Sequence, residues 1–332
     1  MPAAKPPIKT TQFGAPHFQS HDAAREYLET LRWASGRVCP HCGSVDNSSP
    51  LSKPGVYRCK AKECRKDFTV TTNSVMESSH IKLNVWLQAF YLMASSKKGF
   101  SAHQLHRSLG VTYKTAWFLA HRIREAMRAG GLMSPFLGKN GKIVEADETF
   151  IGRKEGVKKA KAAGHHKNVV MTLVERGGAA RSFHIDGASA GDILPIIRAN
   201  LSKEASLMTD EARHYKVVVD LAEISSHETV NHSADQYVRY WNEVTDKKDE
   251  NGKPIVETTV ITTNTVEGYY SIFKRGMKGV YQHCSEKHLH RYLAEFDFRY
   301  SNRSALKIED GERADLAVKG AAGKRLTYRQ SN

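Results

Sequence analysis

Four cysteines, Cys39, Cys42, Cys59 and Cys64, stand in the spacing C-x2-C-x16-C-x4-C, and no other feature of this chain restricts its folding so closely. Zinc takes four soft ligands at tetrahedral corners, and each short spacing lets a backbone turn bring two thiolates to one ion. The competing reading is four unrelated buried thiols. With four ligands the ion has no open position, so the site is structural rather than catalytic. Arg37, Arg58, Lys60 and Arg65 stand nearby and would offset the thiolate charge. Five cysteines among 332 residues do not make a disulfide framework. The fifth, Cys284, stands apart and reads as an ordinary thiol.

Fifty Lys and Arg against 35 Asp and Glu leave a net charge of +15, which favours a polyanionic partner, nucleic acid ahead of membrane. Hydrophobic residues at 40% and charged ones at 26% describe a folded chain rather than a disordered one. Its length predicts two or three folded units. No apolar run reaches the roughly 18 residues of a membrane span. The opening MPAAKPPIKTTQFGAP lacks the apolar centre of a signal peptide, so the expected location is the cytoplasm.

Periodicity divides the chain. Residues 1–20 are Pro-rich and read as a flexible arm. Residues 22–34 place Ala24, Tyr27, Leu28 and Leu31 at helical spacing. Short strands are expected at 55–59 and 67–72. Residues 83–96 are apolar around much of a helix, and 101–110 and 111–130 read as two more helices, each ending in glycine. Helix, short Gly-containing turn, helix is the helix-turn-helix pattern, and Thr112, Tyr113, Lys114 and Thr115 open its last helix. Between Ser79 and Pro135 eight Lys or Arg face a single acid, Glu125. Trp86, Phe90, Trp117 and Phe118 read as core. A solvated face on an ordinary helical bundle is the competing reading of the charge. The run RKEGVKKAKAAGHHK (153–167) reads as a cationic loop touching backbone phosphates, or as a merely solvated one.

Beyond residue 142 the pattern turns to strands at 143–152, 168–176 and 181–186, a helix at 189–202 and a strand at 206–210. Residues 246–257 read as a loop or extended hairpin, and 263–277 and 285–302 as helices. Asp147 lies in an apolar strand, where a charge costs several kcal/mol unless paired or metal-bound. Its neighbour Glu148 points to the opposite face, so only one of the two is expected as a ligand. Asp210 ends a strand, and carboxyl ends of strands gather functional groups in α/β sheets. Glu267 shares a helical face with Asn264, Ser271 and Lys274. Three such acids could converge on two divalent ions, magnesium or manganese by ligand hardness. Asp186, Asp192 and Asp220 compete for the role.

The segments EADETFIG (145–152), TD (209–210), HETVNHS (227–233), TNTVEGYYSIFKRG (263–276) and KHLHRYLAEFDFRY (287–300) resemble the ISXO-type insertion-sequence transposases of bacteria. The resemblance spans about residues 22–303, cysteine spacing included. It implies an N-terminal zinc ribbon, a ribonuclease-H-like catalytic domain, and Asp147, Asp210 and Glu267 as successive catalytic acids with Lys274 as their basic partner. Some relatives carry Asn at the third position, so Glu267 implies a complete metal site. Tyr269 and Tyr270 stand where many relatives carry Trp.

The combined expectation is a multidomain α+β protein: arm 1–20, zinc ribbon 21–78, helix-turn-helix segment 79–135, ribonuclease-H-like α/β domain with a mixed sheet 136–303, and basic tail 304–332. Double-stranded DNA is the expected partner, both the terminal inverted repeats of an element and its target. Lys114, Arg122, Arg124, Lys158, Lys159 and Arg275 are the candidate DNA contacts. His232, His283 and Asn264 are candidate accessory residues. The expected activity is cleavage that frees 3′-hydroxyls, followed by strand transfer, in a bacterial, nucleoid-associated protein that acts as a dimer or larger assembly. A catalytically silent DNA-binding regulator and a stand-alone nuclease are the competing readings.

Overall fold

The computed structural model describes residues 12–129, 135–158, 166–248, 250 and 252–327. These divide into two compact units, one built from residues up to Ala129 together with those from Arg303 onward, the other from the residues between.

The first unit opens with α1 (Pro16–Gln19) and α2 (His21–Arg32). Ser20 caps α2 by accepting from the Ala23 amide at 3.1 Å, which satisfies one of the helix's otherwise orphan donors. Phe18 on α1 is buried, so the described end of the expected arm is packed. The strands β1 (Ser48–Pro50), β2 (Tyr57–Cys59) and β3 (Asp67–Phe68) form an antiparallel sheet in that order; β1 is the strand that periodicity did not show.

Next come α3 (Leu83–Ser95), α4 (Ala102–Leu109) and α5 (Tyr113–Met127). On α3, Trp86, Phe90 and Met93 are fully buried, as its apolar circumference requires. Ser101 caps α4, and Gly110 closes it at φ 65°, a left-handed conformation that costs glycine no Cβ clash. Thr112 caps α5. That helix stops at Met127, before the second glycine, with Arg128 donating its amide to the Arg124 and Glu125 carbonyls.

The second unit holds β4 (Ile143–Ile151), β5 (Asn168–Glu175), β6 (Ala180–Ile185), α6 (Ala190–Asn200), β7 (Ser206–Asp210), α7 (Arg213–Ala222) and β8 (Ser226–Val230). A hairpin, β9 (Val238–Lys248) and β10 (Pro254–Thr262), then leads into α8 (Asn264–Gly276) and α9 (Leu289–Ser301). The five-stranded sheet runs β6-β5-β4-β7-β8. Its first three strands are antiparallel neighbours, while β7 runs parallel to β4 and β8 parallel to β7. Every residue of β5 is buried, as a strand covered on both faces demands.

Alternation along β4 sends Val144 and Ala146 to the face packed by Ile193 and Ile197 of α6 and Tyr215 and Val218 of α7. Ile151 joins the opposite face, under Val266, Tyr270 and Phe273 of α8 and Leu293 and Phe296 of α9. The expected strands and helix between 143 and 210 are all present. The two tyrosines at the expected Trp position are core residues of this second face.

Residues 304–332, expected as a basic tail, contain α10 (Asp310–Lys319), which packs on α3, α2 and α5. Its buried side chains are Ala314, Ala317, Val318 and Arg313, too short an apolar stripe to stand out in the sequence. Tyr27 donates to Asp315 at 2.7 Å, and the Val75 amide to the Ala321 carbonyl at 3.2 Å. A side chain at Gly320 would meet the Ala126 carbonyl at 2.5 Å, so the close approach of this segment to α5 needs glycine.

Candidate functional site

The sulfur atoms of Cys39, Cys42, Cys59 and Cys64 lie within 4.8 Å of one another. Cys39 and Cys64 are 3.9 Å apart, and Cys42 and Cys59 3.6 Å. Zinc–sulfur bonds of about 2.3 Å at tetrahedral angles put sulfurs about 3.8 Å apart, so the cluster fits one ion. The first knuckle is closed by the Cys39 amide to the Ser44 carbonyl and the Gly43 amide to the Cys39 carbonyl, both 2.9 Å, with Gly43 at φ 78°. Hydrogen bonds from Ser44 pull the Cys42 thiol down to about 6, whereas burial pushes Cys59 up to about 12. Beside the cluster, Arg58 is committed to Asp67 at 2.6 and 2.9 Å, and Arg37 stacks on Tyr57 at 3.7 Å. Both cations therefore spend their charge on the ribbon's own groups.

The three acids come from β4, the end of β7 and the first turn of α8. Burial, reinforced by Asp210 and Glu267 and opposed by the Glu148 amide and Lys274, raises the Asp147 carboxyl to about 7. The acids thus share one electrostatic field. Asp147 Oδ1 accepts from the Glu148 amide at 2.8 Å, and Asp210 Oδ1 from the Ala212 amide at 3.1 Å. Glu267 Oε1 accepts from Thr263 Oγ1 at 3.0 Å. Lys274 lies 5.8 Å over the Tyr270 ring, and that tyrosine donates to the Asp147 carbonyl at 2.5 Å. Their carboxylate oxygens do not close to 4.8 Å: among the described residues the four cysteines alone form such a cluster.

Glu145 was not singled out by the sequence reading. It is fully buried two residues before Asp147. Its carboxylate accepts from the amides of Thr265 and Val266 at 2.7 and 3.0 Å, from Thr265 Oγ1 at 2.7 Å and from Arg176 Nε at 2.6 Å. Those amides are orphan donors in the first turn of α8, whose Thr263 cap gives no side-chain bond. A strand acid therefore replaces the missing cap and ties the Glu267 helix to the Asp147 strand. The signal was present, since Glu145 is a charge between buried Val144 and Ala146.

Glu148 faces the other side of the sheet, as alternation predicts, yet it is not idle. Tyr215 donates to it at 2.5 Å, and His214 Nε2 lies 3.8 Å away. Burial, opposed by the Tyr215 hydrogen bond and reinforced by Asp147 and Asp210, raises it to about 7.

The candidate DNA contacts separate by exposure. Lys114, Lys158 and Arg275 are exposed. Arg122 and Arg124 are buried, at 8% and 2% exposure, which removes them from a DNA-facing surface. Arg122 donates to the Glu77 carbonyl at 2.6 Å and lies over the rings of Trp86 and Phe118. Lys159 lies outside the described residues. Asn264 and His283 are exposed, Asn264 as the first residue of α8. His232 sits in the turn His232–Ala234.

Residues 19–67 match the transposase zinc-ribbon domain, and residues 139–301 the ISXO2-like transposase domain. A four-cysteine ribbon ahead of a mixed α/β sheet is thus the architecture of a transposase. The chain belongs to the ISXO2-like transposase family. It is similar to an uncharacterized protein in the transposable element ISH50 of Halobacterium salinarum, 26% identical over 327 residues that cover 91% of this chain and 97% of the relative. Among the described residues no helix is long and apolar enough to cross a membrane.

Proposed function

We propose that this chain binds the ends of an insertion element, cleaves DNA there to free 3′-hydroxyls, and joins those hydroxyls to target DNA. The observation that carries the reading is the shared field of Asp147, Asp210, Glu267 and Lys274, drawn from three elements far apart in sequence. The sheet order, with β4 central and β7 and β8 parallel to it, supports a ribonuclease-H-like catalytic unit. The capped α4–Gly110–α5 pair supports a helix-turn-helix role in which Thr112 to Thr115 meet DNA.

The donor set fits hard divalent cations: three carboxylates of one field, with no soft ligand among them. Asp147, Asp210 and Glu267 would hold two magnesium or manganese ions. Such ions supply Lewis acidity toward the scissile phosphate and its attacking and departing oxygens. Lys274 offers its ammonium to a phosphate oxygen. Tyr270 holds the backbone of Asp147, and Glu145 fixes the entry of α8, so the acids are positioned by groups that never touch DNA. In cleavage a water oxygen bonds to phosphorus as the P–O3′ bond breaks; in joining, the freed 3′-hydroxyl oxygen bonds to a target phosphorus as that phosphate's own P–O3′ bond breaks, releasing a target 3′-hydroxyl and the attacking group's proton.

Lys114, Lys158 and Arg275 supply phosphate contacts that set register without reading sequence. The zinc ribbon is structural.

Purified protein with Mg²⁺ and a pre-cut terminal-repeat oligonucleotide tests the reading. Transfer into plasmid DNA is expected, and Asp147→Asn should abolish both cutting and transfer while retaining end binding. Hydrolysis without joining would make the chain a nuclease; unchanged cleavage by Asp147→Asn would remove that acid from the site.

A further inference from the structure

The sheet alone does not hold the acids of β4 and β7 to each other. The parallel ladder between these strands pairs Ile143 with Ser206, Val144 with Leu207 and Glu145 with Met208, and among the described residues it ends there. Carried two places further, the same register would set Asp147 beside Asp210. At that level β7 keeps its other neighbour, with Asp210 paired to Val230 of β8, but the side toward β4 is no longer laddered. Like charges repel, so the spacing of the two carboxylates has to be imposed by something else.

A chain of hydrogen bonds spans the gap. Asp210 Oδ1 accepts from the Ala212 amide at 3.1 Å, a side-chain turn that leads into α7. The Ala212 carbonyl accepts from the Tyr215 amide at 3.1 Å. Tyr215 donates its hydroxyl to Glu148 Oε1 at 2.5 Å, and the Glu148 amide donates to Asp147 Oδ1 at 2.8 Å. The chain thus runs from one carboxylate to the other, and its single long-range link is the bond between Tyr215 and Glu148. Each acid spends Oδ1 on this chain. Among the described residues Oδ2 of Asp147 and Oδ2 of Asp210 have no hydrogen-bond partner, which leaves one oxygen of each open to a cation.

The long-range link is firmly seated. Tyr215 is 1% exposed, packed in the core cluster with Val144, Ala146 and Val218, and a ring enclosed in that way returns its hydroxyl to one point. His214 Nε2 stands 3.8 Å from the other Glu148 oxygen, so both oxygens of that carboxylate face the first turn of α7. The arrangement matches the one at α8, where Glu145 holds the helix that carries Glu267. Two glutamates of β4, one on each side of Asp147 in sequence, thus tie its strand to the two helices that begin at the other acids.

We propose that Tyr215 and Glu148 are positioning residues, whose bond sets the separation at which Asp147 and Asp210 hold a divalent ion. The inference rests on the metal-dependent reading of the site. Glu148 faces away from Asp147 across the strand, so it acts through its amide and through Tyr215 and is not itself a ligand. Outer groups of this kind tune affinity by fixing the ligands before the ion arrives.

Calorimetric titration of the full zinc-loaded chain with Mn²⁺, in the absence of DNA, tests it. Tyr215→Phe removes only the hydroxyl and should raise the Mn²⁺ dissociation constant about 10- to 100-fold, with DNA affinity by anisotropy unchanged. Glu148→Ala should lose as much. Glu148→Gln keeps a carbonyl oxygen for the Tyr215 hydroxyl and should bind Mn²⁺ nearly as wild type does. Combining Tyr215→Phe with Glu148→Ala should cost no more than either alone, since both break one link. Wild-type Mn²⁺ affinity in Tyr215→Phe would overturn the proposal. So would a loss in Glu148→Gln equal to that in Glu148→Ala, because the carboxylate would then act by its charge. A wild type that takes up no Mn²⁺ would refute the metal site and this inference with it. Mn²⁺ uptake that Asp147→Asn abolishes and Tyr215→Phe leaves intact would refute this inference alone.

Discussion

Glu145 and Asp147 stand two residues apart on β4, and the sequence showed only one of them. The argument that a carboxylate in an apolar strand must be paired or metal-bound applied equally to both. What distinguished them was the partner, Arg176 and the first turn of α8, which lies some 120 residues downstream and follows a hairpin whose length no local pattern fixes. Glu145→Ala is expected to strip the α8 cap and leave Arg176 without its carboxylate, a loss of about 3–5 kcal/mol for a buried pair broken on one side. Urea unfolding of the second unit measures it, and Glu145→Gln, which keeps an acceptor for the amides, should cost visibly less. Arg122 and Arg124 teach the converse lesson. Counting cations along 79–135 located the basic segment, but a count is blind to which guanidiniums lie inward across aromatic rings, as Arg122 does.

Elements with strong periodicity were legible: β4 through β7, α3, α8 and α9 fall where apolar spacing put them. Those missed had other reasons to form. β8 is a short strand of mixed polarity, SHETV, held by its parallel register on β7, and α10 buries mostly alanine. Between α9 and β6 the tie is polar. Asp297 accepts from the Ser182 amide at 2.8 Å, from Ser182 Oγ at 2.7 Å and from Tyr269 at 2.6 Å. Burial, only partly offset by those bonds, raises its carboxyl to about 6 from 3.8. Between those values an unfolded chain has released this proton while the folded protein keeps it. The stability Asp297 contributes is therefore fullest below pH ~4 and declines as pH rises to ~6, by roughly 3 kcal/mol. Asp297→Asn should flatten that stretch of the stability–pH curve, read as urea midpoints from pH 4 to 7; an unaltered slope would assign the dependence elsewhere.

Across the whole molecule, each unit carries its own determinant of stability. Chelation of zinc should abolish the melting transition of the unit containing the four cysteines, because metal binding and folding are one process in such ribbons. The transition of the sheet unit should persist; calorimetry with and without chelator resolves the two. DNA affinity should fall steeply with salt as counterions are released, and Lys114→Ala should reduce the slope of log K against log salt by about 1. Fluorescence anisotropy over 50–200 mM salt checks this.

One feature of the first unit bears on how the protein is made. Its helices α3 to α5 are complete once Ala129 has been synthesised, but α10, which packs on them, begins at Asp310. At about 5–20 residues per second, the ribosome delivers that helix roughly 10 to 40 seconds later. The second unit, encoded later, has all of its residues before α10 exists. The first unit to begin synthesis is thus the last to have all of its residues, and a chain cut short before Asp310 would keep every residue of the sheet unit while its first unit lacked α10.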